Sequence, residues 1–322
     1  MSHVVTVISK TSQLPSNSID EISKFIDTKL NLRIVSVKIL SPKKAIDFLI
    51  DLHGEDDSVE KHSCHCKEDQ IKINEIIKAN PFDDFDLIFQ KNNAARKEKK
   101  LFVFDMDSTL IKQEVIEMIA AYADVEDEVA KITTSAMNGE IDFKESLRRR
   151  VGLLKGIESK NLWDELKLKI EITPGAKELC KGLKKTGCKL AVLSGGFIPL
   201  ARYVAGELGL DYAFANTLAT EVNESGVEIL SGTTIGEIVD GTRKAELLLQ
   251  IAKENEIEPK KAVAVGDGAN DLLMMKEAGW GVAWNAKPKV QLVAPSCLNS
   301  DTLKDIYYIL GYNDIEIEEL LN

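Results

Sequence analysis

The sequence predicts an α/β protein: a parallel sheet with helices on both faces, a helical insert after the first strand of that sheet, and a smaller α/β unit in front. Three observations carry this. Residues 101–104, Leu-Phe-Val-Phe, are continuously apolar and run into Asp105, the pattern of a strand buried on both faces. Further apolar runs at 189–193 and 262–265 alternate with stretches of helical spacing, as in sheets built from β-α-β units. Residues 114–170 have helical spacing almost throughout and interrupt that rhythm.

The chain of 322 residues is long enough for more than one domain. Its formal charge is −11, from 41 basic and 52 acidic residues, and no basic tract stands out, which argues against a nucleic-acid partner. An anionic substrate would need a locally positive site. No apolar run reaches the roughly 18 residues of a membrane span. The first residues lack the basic-then-apolar pattern of a secretory signal. Five cysteines, an odd number spread over the chain, suit a reducing compartment, so a cytoplasmic protein is expected. The four histidines (His3, His53, His62, His65) all precede residue 101, so chemistry centred on Asp105 would not use histidine.

Residues 1–95 read as a separate unit. Strands are expected at 4–8, 32–40, 45–53 and 85–90, and helices at 18–30 and 69–79. The order βαββαβ suits a small α/β sandwich and resembles the amino-acid-sensing ACT-type modules. Within it, His62-Ser-Cys-His-Cys66 holds two histidines and two cysteines, but more tightly than the separated pairs of structural zinc sites. A polar loop with incidental cysteines is the better reading. The charged stretch 92–100 reads as a linker. In the insert, Val115, Ile116, Ile119 and Ala120 form an apolar helical face, and its position suits a lid over the mouth of the sheet. Beyond it, helices are expected at 173–185, after Ser194-Gly-Gly196 to about 208, at 242–256 and at 271–278. Strands are expected at 189–193, 212–216, 262–265 and 281–284, with a hairpin or extended pair at 222–230.

Open α/β sheets carry their chemistry at the carboxyl ends of strands. Asp105 and Asp107 should therefore share the sheet's mouth. Unit charges 4 Å apart repel by roughly 4 kcal/mol at an effective dielectric of about 20, so the pair needs a cation, a shared proton, or both. Two other strand ends carry Ser194-Gly-Gly196 and Gly266-Asp-Gly-Ala-Asn-Asp271. Any one of these clusters alone could be a helix cap; three after strands of one sheet point to a site. The residue types suit phosphoryl transfer. One carboxylate can be the nucleophile and a second the general acid and base. Hard oxygens suit Mg²⁺, and the N–H groups at Met106–Asp107 and Gly195–Gly196 can cradle phosphate.

The motifs Asp105-Met-Asp-Ser-Thr-Leu110, Leu193-Ser-Gly-Gly196 and Gly266-Asp-Gly-Ala-Asn-Asp271, with Lys244 between the last two, resemble the haloacid-dehalogenase-like hydrolases over about residues 100–300. Within them, the stretches 105–114, 143–154, 192–197, 208–216 and 264–271 are most similar to the phosphoserine phosphatases. The resemblance implies a Rossmann-like core (96–113 and 171–322) with a helical cap (114–170). It implies Mg²⁺-dependent hydrolysis of O-phospho-L-serine, the last step of serine biosynthesis. Asp105 would be nucleophile and metal ligand, and Asp107 the acid/base with its carbonyl toward the metal. Asp267 would complete the metal site, and Asp271 would orient Asp267 or a metal-bound water. Ser194, Gly195, Lys244 and Asn270 would hold the phosphate. Glu114 would take the substrate ammonium and Arg150 its carboxylate. Met137 and Phe143 match cap positions that pack around substrate.

Helical geometry permits the arginine role. Arg150 falls about 70° from the centre of the Leu147, Val151 and Leu154 face, Arg148 about 90°, and Arg149 nearly opposite. Two features depart from the family: the N-terminal unit lies outside the match, and Met106 replaces a more frequent aromatic. A phosphatase or phosphotransferase for another small phosphomonoester, and a non-catalytic amino-acid sensor, are the rival readings. Whether the N-terminal unit binds serine or mediates a homodimer stays open.

Overall fold

The computed structural model describes residues 3–51, 62–137 and 139–322; the side chains of 62–70, including the His62–Cys66 cluster, and of Met137 fall outside the described residues. The chain divides into two compact units, Met1–Lys99 with Val282–Asn322, and Lys100–Gly281.

The first unit contains β1 (His3–Ser9), α1 (Ser18–Thr28), β2 (Arg33–Ser41), β3 (Ala45–Asp51), α2 (His62–Ala79) and β4 (Phe85–Lys91), the expected βαββαβ order. The strands pair antiparallel in the order β2-β3-β1-β4. Alternate residues Val5, Val7, Ile46, Phe48 and Ile50 bury against Ile22, Phe25 and Ile26 of α1. The stretch expected to be a solvated linker is partly built in instead. Arg96, in a short 3₁₀ turn, is buried and donates to Asp47 on β3 at 2.6 and 3.0 Å, to Thr6 at 2.7 Å, and to the carbonyls of Tyr308 and Ile309. A charged stretch reads as solvated unless its counter-charge is known, and Asp47 lies 49 residues away in sequence.

The second unit opens with β5 (Leu101–Phe104). The insert follows as α3 (Val115–Tyr122), α4 (Glu126–Met137), α5 (Phe143–Gly152) and α6 (Ser159–Lys169). Next come α7 (Ala176–Lys185), β6 (Lys189–Phe197), α8 (Ile198–Leu208), β7 (Tyr212–Val222), β8 (Glu228–Ile235), α9 (Gly241–Glu254), β9 (Ala262–Gly266) and α10 (Leu272–Glu277). Within this unit the strand order is β9-β5-β6-β7-β8. β5 pairs parallel with both β6 and β9, and every residue of β5 is fully buried, as its unbroken apolar run requires. β7 and β8 form an antiparallel ribbon that turns between Val222 and Glu228, inside the stretch expected as a hairpin or extended pair, and it is longer than that stretch and the strand expected at 212–216. Its Thr/Glu-rich, largely exposed outer half has no apolar run to announce it. β6 likewise runs on through Gly195 and Gly196 to Phe197. The two ends of the insert are clamped at its base: Thr173 N–H donates to Leu110 O (2.9 Å) and Lys112 N–H to Glu171 O (3.0 Å).

The chain leaves β5 toward β6 and β7, then returns to lay β9 on the opposite side of β5. The crevice between β5 and β9 is therefore a topological switch point, where sheets of this kind bind ligands.

Replacing Arg96 by Ala should leave the Asp47 carboxylate buried without its cation. We expect a loss of about 3–5 kcal/mol, read from urea unfolding followed by far-UV circular dichroism. A loss below 1 kcal/mol would mean that the pair is incidental to stability.

Candidate active site

Register places the site. Phe104 pairs with Val192 on β6 and with Val265 on β9. One residue further on, Asp105 donates its N–H to Val265 O (2.9 Å) and lies beside the ends of both neighbours, where Ser194 and Asp267 follow. Asp105 is backbone-extended and opens an irregular turn, Met106–Leu110. In that turn Asp107 is extended and Ser108 is left-handed (φ 54°), a conformation that costs a non-glycine residue energy and clusters at functional sites. The turn aims the two carboxyl groups inward. Ser108 Oγ donates to Glu114 Oε1 at 2.7 Å, just before α3.

Lys244 reaches in from the first turns of α9, whose N-terminus is capped by Asp240 accepting from Arg243 N–H (2.9 Å). Its side chain is fully buried, and Nζ donates to Asp105 Oδ1 and Asp271 Oδ1, both at 2.7 Å. Burial pulls the ammonium toward its neutral form, but Asp105 and Asp271 more than reverse this and hold it above the ordinary lysine range. Burial and then the Asp105 charge push the Asp271 carboxyl up to about 7, against the pull of Lys244. The second Asp271 oxygen accepts from Gly268 N–H at 3.0 Å.

The Asp107 carboxyl is buried and held well above the ordinary range, first by burial, then by the charges of Asp105 and Glu114. Its Oδ2 accepts from Val115 N–H at 3.1 Å, and its Oδ1 has no hydrogen-bond partner among the described residues. A buried carboxyl oxygen without a partner is costly unless a ligand completes it. Gly196 keeps that space open: a Cβ there would lie 3.0 Å from Ser194 Oγ and 3.5 Å from Asp107 Oδ1.

Carboxylate oxygens of Asp105, Asp267 and Asp271 come within 4.8 Å of one another, a donor set that fits a hard divalent cation. Both oxygens of Asp271 are already engaged, by Lys244 and by Gly268. Both hydrogen bonds onto Asp105, from Lys244 and from Met106 N–H (2.7 Å), fall on Oδ1. The Met106 N–H, expected to face phosphate, thus serves the Asp105 carboxylate instead.

These motifs lie where a family model places them. The haloacid dehalogenase-like hydrolase model matches residues 99–279. The chain belongs to the haloacid dehalogenase-like hydrolases. It is 49% identical to the phosphoserine phosphatase of Saccharomyces cerevisiae over 98% of this chain and 97% of that one. Among solved structures it is similar to a phospho-aspartyl intermediate analogue of phosphoserine phosphatase (43% identity, TM-score 0.59, 65% of this chain and 98% of that one). It is also similar to a substrate-bound phosphoserine phosphatase complex (42% identity, TM-score 0.59, 68% and 99%).

The remaining residues expected in this hydrolase's site lie as follows. Arg150 on α5 is partly buried. Burial lowers its pKa while the charges of Glu114 and Asp107 raise it, so the three share one electrostatic environment. Arg148 and Arg149 are exposed and pair with Glu145, outside that environment. Phe143 packs on the Ser194–Gly196 loop, 3.1 Å from where a Cβ on Gly195 would sit. Asn270 folds over Gly268, its Oδ1 2.2 Å from where a Cβ there would lie. The Asp271–Lys244 ion pair has no counterpart in the sequence expectation, which tied Asp271 to Asp267. Its two residues lie 27 apart on different elements, and only the folded distance reveals it.

At Gly266 a Cβ would fall 2.3 Å from Asp271 Oδ2. Gly266→Ala should therefore lower stability by about 1–3 kcal/mol through overpacking and displace Asp271 from Lys244. Gly206→Ala, on the exposed face of α8 with nothing within 4 Å, should raise stability by about 0.5–1 kcal/mol. Paired thermal melts check both; equal melting temperatures would refute the steric account.

Proposed function

We propose that this chain is a Mg²⁺-dependent phosphatase that hydrolyses O-phospho-L-serine to L-serine and phosphate, the last step of serine biosynthesis in the cytoplasm. The observation that carries the reading is the pairing of two carboxyl groups in different surroundings. Asp105 is ion-paired to Lys244, while Asp107 is half-buried with its Oδ1 turned inward and unpartnered, and burial holds its carboxyl well above the ordinary range. Near-full-length likeness to a phosphoserine phosphatase supports the substrate.

A carboxylate oxygen of Asp105 attacks phosphorus in line as the bond to the serine oxygen breaks. Asp107 gives its proton to that oxygen, and serine leaves as the alcohol. Asp107, now a carboxylate, takes a proton from water as the water oxygen attacks the aspartyl phosphate. The bond between Asp105 and phosphorus breaks, and inorganic phosphate departs with Asp105 and Asp107 restored. Ser194, Gly195, Lys244 and Asn270 bind the phosphoryl oxygens throughout. Glu114, held by Ser108, takes the substrate ammonium, and Arg150 takes the carboxylate, an arrangement suited to an amino acid. Asp105, Asp267 and the Asp107 carbonyl would hold Mg²⁺, which supplies positive charge against the phosphate.

Asp107→Asn should slow phosphoserine turnover by about 10²–10⁴-fold. With p-nitrophenyl phosphate, whose leaving group needs no proton, it should give one equivalent of nitrophenolate and then stall as the phosphoenzyme. In the unmodified enzyme, phosphorylation by phosphoserine should fall as pH rises through the raised Asp107 pKa, because the donor proton is lost. That alkaline limb should vanish in the variant. Arg150→Ala should raise KM for phosphoserine about 10–100-fold and leave inhibition by inorganic phosphate unchanged. An unchanged KM would favour a different phosphomonoester.

A further inference from the structure

Asn216, on β7, lies outside every role assigned above, yet it is buried and has both ends of its amide committed. Its Nδ2 donates to Gly195 O and its Oδ1 accepts from Val239 N–H, each at 2.8 Å. These partners also fix the amide's orientation, since a carbonyl only accepts and a backbone N–H only donates.

We infer that Asn216 is a positioning residue that aims the Ser194 hydroxyl proton at the phosphoryl group. The relay is one peptide plane. The Gly195 carbonyl and the Gly196 N–H belong to the same planar unit and point in opposite directions. Holding the carbonyl with Asn216 therefore turns the N–H toward Ser194, and Gly196 N–H donates to Ser194 Oγ at 2.8 Å. A hydroxyl that accepts this bond keeps its single proton for another partner. Ser194 is fully buried, and its proton has no acceptor among the described residues. The other end of Asn216 holds Val239, next to Asp240, the cap of the helix that carries Lys244. One side chain thus ties together the two backbone segments on which the phosphate's donors stand.

The inference rests on the reading of Ser194 as a phosphate ligand, and the test separates the two. Asn216→Asp keeps the acceptor for Val239 and, ionised, loses the donor to Gly195; Asn216→Ala loses both. Each should raise KM for phosphoserine and the inhibition constant of inorganic phosphate about tenfold, with kcat per phosphorylatable site changed less than about twofold, the pattern of lost uniform binding. A merely structural role would lower the fraction of phosphorylatable enzyme and leave the inhibition constant alone. In a Ser194→Ala background, which itself weakens phosphate binding, Asn216→Asp should add less than about twofold, because the relay already lacks its last member. Unchanged phosphate inhibition in both single variants, or full multiplication of the two effects in the double variant, overturns the inference while the Ser194 reading stands. Unchanged phosphate inhibition in Ser194→Ala alone overturns that reading, and the inference with it.

Discussion

The site depends on one buried cation. An isolated ammonium with no access to water would be among the most expensive groups a fold can hold. Lys244 is tolerated because two carboxylates meet it at 2.7 Å, and each carboxylate is tolerated because the lysine meets it. None of the three is stable in that place alone. The interaction also does geometric work. Lys244 and the Met106 N–H converge on the same oxygen of Asp105, which fixes the carboxylate's rotation. In the proposed reaction, a carboxylate held in one orientation would lose less entropy on the way to an in-line displacement.

The backbone brings these groups together through topology rather than sequence proximity. Lys244 and Asp105 are 139 residues apart, and Asp271 lies a further 27 beyond the lysine. The parallel pairing of β5 with both neighbours brings their carboxyl ends level. The return of the chain across β5 opens the crevice in which the three charged side chains meet. The capped start of α9 then delivers the lysine from the side. The short backbone approaches that this crowding demands fall on glycine: Gly266 lies against Asp271, and Gly268 against Asn270.

What could be read in the sequence was what is encoded locally. β5 announces itself because four consecutive apolar residues are all buried. The arginines of α5 sort correctly because a helical wheel needs only neighbouring residues, and Arg149 is exposed while Arg150 is partly buried. Lys244 is different. By position it is an ordinary lysine at a helix start, and only the family resemblance singled it out. Arg96 looked like part of a solvated linker because nothing nearby discloses its carboxylate on β3. The left-handed Ser108, the turned Met106 N–H and the doubly bonded Asn216 were equally out of sight. Each is fixed by a backbone path that propensities do not specify. The tip of the β7–β8 ribbon was legible as a hairpin or extended pair at 222–230, but its reach through 217–221 and 231–235 was not, because a two-stranded ribbon that buries little needs no apolar run.

Charge shows what this arrangement still asks for. Asp105, Asp107, Asp267, Asp271 and Glu114 gather at one end of the sheet, against the two cations Lys244 and Arg150. Burial first, and then the neighbouring negative charges, raise the Asp107 and Asp271 carboxyls above their ordinary range, so the crowding favours protons at both. Bringing a phosphate monoester into that field adds up to two more negative charges, in a chain whose formal charge is already −11. Protonation alone would not absorb them in the proposed reaction, where Asp105 attacks as a carboxylate. A divalent cation on the Asp105 and Asp267 oxygens would answer the need where Lys244 does not reach. The acid cluster and the raised Asp107 carboxyl thus belong to one constraint: a negatively charged site set to bind a negatively charged group.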